Sequence, residues 1–369
     1  MASNGLRLSF IPHDSSLNSP AAQKWNGCCE SAVHLSFDGE SANHTHCQWI
    51  YYEGGCDMRS LHILRIACFV IAIPIFFVRA HGQVVPGTGI RHTRVGDDFE
   101  NEKWKWIPNG QKASREQDDR ERRPLGGSNN GRWFESAKRG MPDVIERVAT
   151  PANGIVGSKG ALRLQTLNSG IPGRPSGKME QDDFVMACSS RIGRLDVSRS
   201  PSCTCRIWLP PFQNWEDRSG SHFGYRIDCK TTKTEKKKGF LFTRTVKEKE
   251  SYWPGYFFEF HSETDPRYAE DEAVLLIRGN NTGHEVRSVK LTPGWWTFGM
   301  SVTPDGRIHY YARQGVGDLR PADHLYASYP YSYSAEMFAT HFFNSVNRCD
   351  GRTWSTPFII DDPAVFSLR

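Results

Sequence analysis

From about residue 155 to the C-terminus the chain alternates apolar and polar positions with a period of two. Short segments are separated by Gly, Pro, Asn, Asp and Ser. That rhythm predicts half-buried strands joined by turns. The predicted strands are Ala161–Thr166, Asp183–Cys188, Cys203–Leu209, His222–Cys229, Tyr256–Glu263, Ala273–Arg278, Trp295–Thr303, Arg307–Arg313, His341–Asn347 and Phe358–Val365. The run WWTFGMSV, then TPDG, then RIHYYAR predicts a hairpin, because Asp305-Gly306 lies between two alternating runs. Helical periodicity is sparse: Asp143–Val148 and Ala335–Thr340 are the two segments read as short helical turns. So many strands without long helices imply one large all-β domain, and a two-layer antiparallel jelly-roll sandwich buries two apolar faces at once.

The first part of the chain follows other rules. Residues 66–78, IACFVIAIPIFFV, are continuously apolar but too short to span a bilayer. Met58, Arg59, His62 and Arg65 precede them, and Ala80-His81-Gly82 follows, so residues 58–82 read as a signal peptide, or as a membrane anchor if uncleaved. Signal peptides start at the initiator methionine. The expectation is therefore that translation begins at Met58 and that residues 1–57 are a non-native or disordered extension. Residues 83–140 read as a lead-in and polar insertion, since KASREQDDRERRPLGGSNNGR is almost free of apolar residues. The sandwich is expected over 141–369, with 96–100 as its opening strand. A secreted, periplasmic or cell-surface location follows, with no integral membrane domain once the signal is cleaved.

Charge and cysteine add a little. Residues 1–57 carry net −4 and residues 83–369 net +6, a mildly basic mature chain compatible with an anionic partner. Five cysteines follow residue 82, and Cys203 and Cys205 share one strand face, too awkwardly placed to bridge each other. Buried free thiols are expected. Gly-rich phosphate loops, His-Glu-x-x-His and Gly-x-Ser-x-Gly are absent. The basic stretch Thr231–Lys238 with Lys247-Glu248-Lys249 reads as an exposed hairpin tip. It has no aromatic residues interleaved with its charges, so no nucleic-acid partner is expected.

Four segments in order carry a resemblance. They are Gly96-Asp97-Asp98-Phe99-Glu100, Gly160-Ala161-Leu162-Arg163-Leu164, Trp295–Val302 with Asp305-Gly306, and Phe358-Ile359-Ile360-Asp361-Asp362-Pro363-Ala364-Val365. Their order resembles the concanavalin A-like lectin/glucanase superfamily, over most of 96–369. The resemblance implies a jelly roll and a polysaccharide ligand, bound or acted on. It also implies a structural calcium where opening and closing strands meet, with Asp98, Asp361 and Asp362 as oxygen donors. The Glu-x-Asp-x-x-Glu strand of laminarinase-type members is missing. Its nearest counterpart is Glu259-Phe260-His261-Ser262-Glu263.

Alternation assigns faces. Phe223, Tyr225, Ile227 and Cys229 oppose His222, Arg226 and Asp228. Tyr256, Phe258 and Phe260 oppose Phe257, Glu259 and His261. Cys203, Cys205, Ile207 and Leu209 oppose Thr204, Arg206 and Trp208, and His309 and Tyr311 oppose Ile308 and Tyr310. Two readings of the polar faces stand side by side. In one, Arg206, Trp208, Asp228 and His309 bind sugar in a groove. In the other they form a solvated ladder of ion pairs. Glu259 and His261, with Arg226 and Tyr311, are the candidate catalytic set: a lyase would use arginine to neutralise a uronate carboxylate and His or Tyr to remove the α-proton. The reading is thus an exported polysaccharide-binding sandwich, with a polysaccharide lyase or glycoside hydrolase, or a structural surface module, as alternatives.

Overall fold

The alternating segments close into two antiparallel sheets packed face to face. The computed structural model describes residues 84–369, apart from 111, 113, 119–124, 172 and 239–242. The apolar segment 66–78, the cleavage region and residues 1–57 lie outside the described residues. In chain order the strands are β1 (Ile90–Arg91), β2 (Trp106–Ile107), β3 (Gly127–Ser128), β4 (Trp133–Glu135), β5 (Val144–Val148), β6 (Ala161–Gln165), β7 (Met179–Met186), β8 (Leu195–Asp196), β9 (Ser202–Leu209) and β10 (Gly220–Lys238). They continue as β11 (Thr243–Tyr252), β12 (Gly255–His261), β13 (Glu272–Arg278), β14 (Glu285–Leu291), β15 (Gly294–Val302), β16 (Ile308–Gln314), β17 (His324–Ser328), β18 (Met337–Arg348) and β19 (Phe358–Ser367). The smaller sheet runs β17-β16-β15-β9-β19-β6-β5, with β1 on β19. The larger runs β14-β13-β12-β10-β18-β7-β4-β3-β2, with β11 on β10 and β8 on β18.

Between the sheets lies one continuous core. Phe223, Tyr225, Tyr256 and Phe258 of the larger sheet meet Cys203, Cys205, Phe298 and Phe358 of the smaller. Phe258 packs edge-on to Phe298 at 5.0 Å, and Phe223 stacks on Phe358 at 4.2 Å. The Tyr256 hydroxyl crosses the core. It accepts the Tyr311 N–H at 2.8 Å and faces the carbonyls of Gly299 at 2.7 Å and Tyr311 at 3.0 Å, to one of which it donates. A side chain of one sheet therefore enters the ladder between β15 and β16 of the other. All five cysteines of the described residues are buried, and Cys188, Cys203, Cys205 and Cys229 are free thiols, as the strand pattern implies.

The hairpin at Asp305-Gly306 and all ten predicted strands are present, most with ends shifted by a few residues; His222–Cys229 runs on to Lys238, nine residues further than expected. Asp183–Cys188 ends differently, since Cys188 opens a four-residue helix, Cys188–Arg191. Three expectations change. Val144–Val148 is a strand paired with β6, and Ala335–Thr340 runs into β18; neither is helical. Five residues are too few to separate the two periods. β18 is buried on both faces and so shows no alternation. Residues 96–100 form no strand, because Gly96 and Phe99 have positive φ. Instead Asp97 anchors them, its carboxylate accepting the indole N–H groups of Trp104 and Trp133 at 3.0 and 3.1 Å and the Asn130 amide at 2.8 Å. Residues 101–140 are no mere insertion: they supply β2, β3 and β4, and bury Trp104 and Trp133. Lys112, from the polar run, is buried against Asp182.

Removing the Tyr256 hydroxyl leaves a buried N–H without its acceptor. Tyr256→Phe is expected to lower the unfolding free energy by about 1–3 kcal/mol. The check is a lower urea midpoint at unchanged slope; a wild-type midpoint contradicts the assignment.

Candidate functional site

The two sheets point their polar faces in opposite directions, and this divides the candidate residues. Arg226, Asp228, Glu259 and His261 stand on the outer face of the larger sheet. Arg206, Trp208, His309, Tyr311 and Asp361 stand on the outer face of the smaller one.

On the smaller sheet these residues serve the fold. Arg206 donates to Asp362 and Asp318, both at 2.7 Å, and to the Val316 carbonyl at 3.3 Å. Trp208 packs with Ala161, Trp295 and Ile359 in a small apolar cluster of its own. His309 contacts His324 at 3.3 Å, and burial pushes its pKa down to about 4. Tyr311 is fully buried beside His324, with ring centroids 5.0 Å apart. Asp361 is buried and accepts from Ser158 at 3.0 Å, while Asp362 is held by Arg91 and Arg206. Asp98 is exposed and caps its own turn through the Glu100 N–H. Two guanidinium groups at Asp362 already do what a cation would do, so this donor set does not fit calcium. Among the described residues no group of three or more His, Cys, Asp or Glu is arranged to hold a metal ion.

On the larger sheet, His261 lies between two carboxylates. Nε2 is 3.3 Å from Glu259, Nδ1 is 3.5 Å from Glu272, and the ring stacks on Tyr268 at 4.1 Å. Glu272 also pairs with Lys290 at 2.8 Å, which holds its pKa below the usual carboxylate range. Both ring nitrogens and one ring face are thus occupied by the chain itself, the arrangement of a cross-strand polar ladder.

Arg226 and Asp228 belong to something different. Beside them a cleft of about 400 Å³ opens between β4, the 136–140 turn, β7, β18 and Trp253. Its lining is mostly apolar and includes the buried Asp183 and Met186; Arg226 does not line it but touches two residues that do, Trp253 and Phe342. Arg226, 3% exposed, donates twice to the Trp253 carbonyl, at 2.9 and 2.6 Å, between the rings of Phe257 and Phe342 at 5.3 and 5.5 Å. Burial, and then the charge of Arg139, push its pKa down to about 9, which leaves it cationic at neutral pH. Asp183 accepts from the Asn344 amide and lies 3.9 Å from Arg139. Burial raises its pKa against the pull of Arg139 and Arg226. Asn344 Oδ1 is buried without a hydrogen-bond partner. Asp228 is chelated by Lys230, both oxygens at 2.9 Å.

The rim is aromatic and basic. Phe134 is 37% exposed, and Lys138 stands 4.6 Å over the half-buried Trp253 ring. Lys138 and Arg139 share Glu116, at 3.2 and 3.1 Å. Such a rim can stack on an apolar sugar face and pair with carboxylates, while Asp183 and Asp228 can accept from hydroxyls. Sequence reasoning missed Phe134, Lys138, Arg139, Asp183 and Trp253. The available signals were Tyr252-Trp253 directly before Pro254, and two adjacent aspartates in a strand otherwise able to alternate.

No family model matches the chain, and no curated protein matches it. Solved structures similar to it include an alginate lyase from Pseudomonas aeruginosa, at 10% identity over 62% of this chain and 87% of that one, TM-score 0.33. A family 7 alginate lyase in complex with product matches at 9% identity over 59% and 84%, TM-score 0.29. The carbohydrate recognition domain of Emp46p matches at 7% identity over 75% and 98%, TM-score 0.33. Likeness at this level carries no argument about this chain.

Asp361 gives a test in pH. Burial pushes its pKa up to about 7. Between the ordinary carboxylate range and that value the folded state binds more protons than the unfolded, so this residue's contribution makes stability fall as pH rises. Asp361→Asn should therefore gain on the wild type between about pH 4 and about pH 7, with no further gain above. Denaturant titrations across that range check it; a constant difference contradicts it.

Proposed function

We propose that this is an exported carbohydrate-binding sandwich whose ligand is an extracellular, acidic polysaccharide, held in the cleft of the larger sheet. The observation that carries this reading is the cleft itself: exposed Phe134 and half-buried Trp253 beside Lys138 and Arg139, with buried Asp183 in the lining and Arg226 holding Trp253 from behind. Aromatic faces match the C–H faces of a sugar ring, and the two cations match its carboxylates. The signal-like segment around residues 66–78 supports export.

Binding is favoured over turnover by how the candidate catalytic groups are distributed. A lyase needs a cation and a base on one sugar residue. Arg226 is locked to Trp253, His261 is enclosed by Glu259, Glu272 and Tyr268, and Arg206 and Tyr311 belong to the other sheet.

Trp253→Ala and Lys138→Ala keep the backbone carbonyl that Arg226 needs. Each should weaken binding of a carboxylated oligosaccharide by about tenfold, or about 1.4 kcal/mol, with no product formed. Calorimetry with product analysis checks this. Unchanged affinity removes the cleft reading, and an ultraviolet-absorbing unsaturated product replaces binding with lyase chemistry.

A further inference from the structure

Beyond the sandwich, β10 continues as a ribbon. Its last partner on β12 is at Arg226 and its last on β18 at Lys230. From there to Lys238 it pairs with β11 alone. The register sorts the ribbon's side chains by face. One face carries Thr231, Lys233, Glu235 and Lys237 opposite Glu250, Glu248, Val246 and Arg244. Its charges neutralise one another: Lys233 pairs with Glu235 at 2.6 Å, and Lys237 with Glu248. The other face carries Thr232, Thr234 and Lys236 opposite Lys249, Lys247 and Thr245. Those six positions hold three lysines and no acid, and all but the half-buried Thr232, which donates to Glu336, are exposed.

This cationic face has the same parity on β10 as Arg226, Asp228 and Lys230, so it continues the outer face that carries the cleft. Asp228 lines the cleft, and Lys230 ties it to Ser251 of β11 at 2.7 Å. Beyond that point come Lys249, Lys247 and Lys236 in turn. Val246 is the one apolar side chain among the ribbon positions just named, so burial does not explain why the ribbon is there. A surface kept merely soluble would intersperse both signs on both faces.

We propose that this ribbon is a second binding element for an acidic polysaccharide, an arm that carries the chain onward from the cleft. The inference rests on the cleft reading above. Lysines two positions apart on one strand face lie about 7 Å from each other, a row suited to a linear polymer of repeating carboxylates. The absence of an aromatic side chain from those six positions, where nucleic-acid bases would stack, disfavours a single-stranded nucleic acid.

The test uses the full chain with two probes: polygalacturonate, which can reach cleft and arm, and trigalacturonate, which reaches the cleft alone. Combining Lys236→Gln, Lys247→Gln and Lys249→Gln should weaken polymer binding by about tenfold at low salt and flatten its salt dependence, with trimer affinity unchanged. Combining Lys233→Gln, Lys237→Gln and Arg244→Gln removes the same charge from the mixed face and should alter neither. Equal polymer loss in both variants, or no loss in the first, overturns the arm. So does wild-type preference for duplex DNA or phosphatidylserine vesicles over polygalacturonate at the same salt. If the trimer fails to bind wild type while polymer binding still depends on the cationic face, the cleft reading falls and the arm stands.

Discussion

The Tyr256 hydroxyl, lodged in the backbone between β15 and β16, fixes more than a contact between sheets. Alternation allows β12 two placements, and a slip of one residue would exchange its faces. With Tyr256 held inward, Phe257, Glu259 and His261 must point outward. Pairing then forces the same on β10, so Arg226 and Asp228 face out as well. β18 and β7 follow through Phe342 and Asp183. The cleft floor is therefore set by parity, and one phenol in the core sets the parity.

Much of this was legible in the chain. Tyr225, Ile227, Phe258 and Cys205 face the core where alternation put them, and Asp305-Gly306 turns the late hairpin. What could not be read was which strands share a sheet. Arg206 and Arg226 look equivalent in sequence, each an arginine on the polar face opposite an apolar one; β9 and β10 nevertheless belong to opposite layers. Pairings such as β10 with β18 join residues more than a hundred positions apart, and no local pattern encodes them. Lys138 and Trp253 were hidden for another reason. One lies in the 136–140 turn and the other at a proline-broken strand end, where periodicity has nothing to say.

The two outer faces show how similar residues come to serve different ends. On the smaller sheet, Arg206 is saturated by Asp318, Asp362 and a carbonyl, and Tyr311 is closed off from solvent. On the larger sheet, Arg226 is also buried, yet it holds the backbone of a half-buried tryptophan on the cleft rim. It acts on the rim through Trp253, as a support beneath a contact surface.

The buried thiols have a consequence for how the chain must mature. Cys203 and Cys188 are pushed up to about 12 and about 11 by burial, and Cys205 and Cys229 rise well above the normal thiol range, so almost no thiolate exists at these four sulfurs in the finished fold. An unfolded chain has no such protection, and its thiols ionise and exchange normally. In an oxidising compartment, packing and oxidation therefore compete for the same sulfurs. Cys203 and Cys205 lie on β9, between two strands from the far end of the chain, β15 and β19. Sheet closure thus withdraws these four sulfurs from disulfide chemistry.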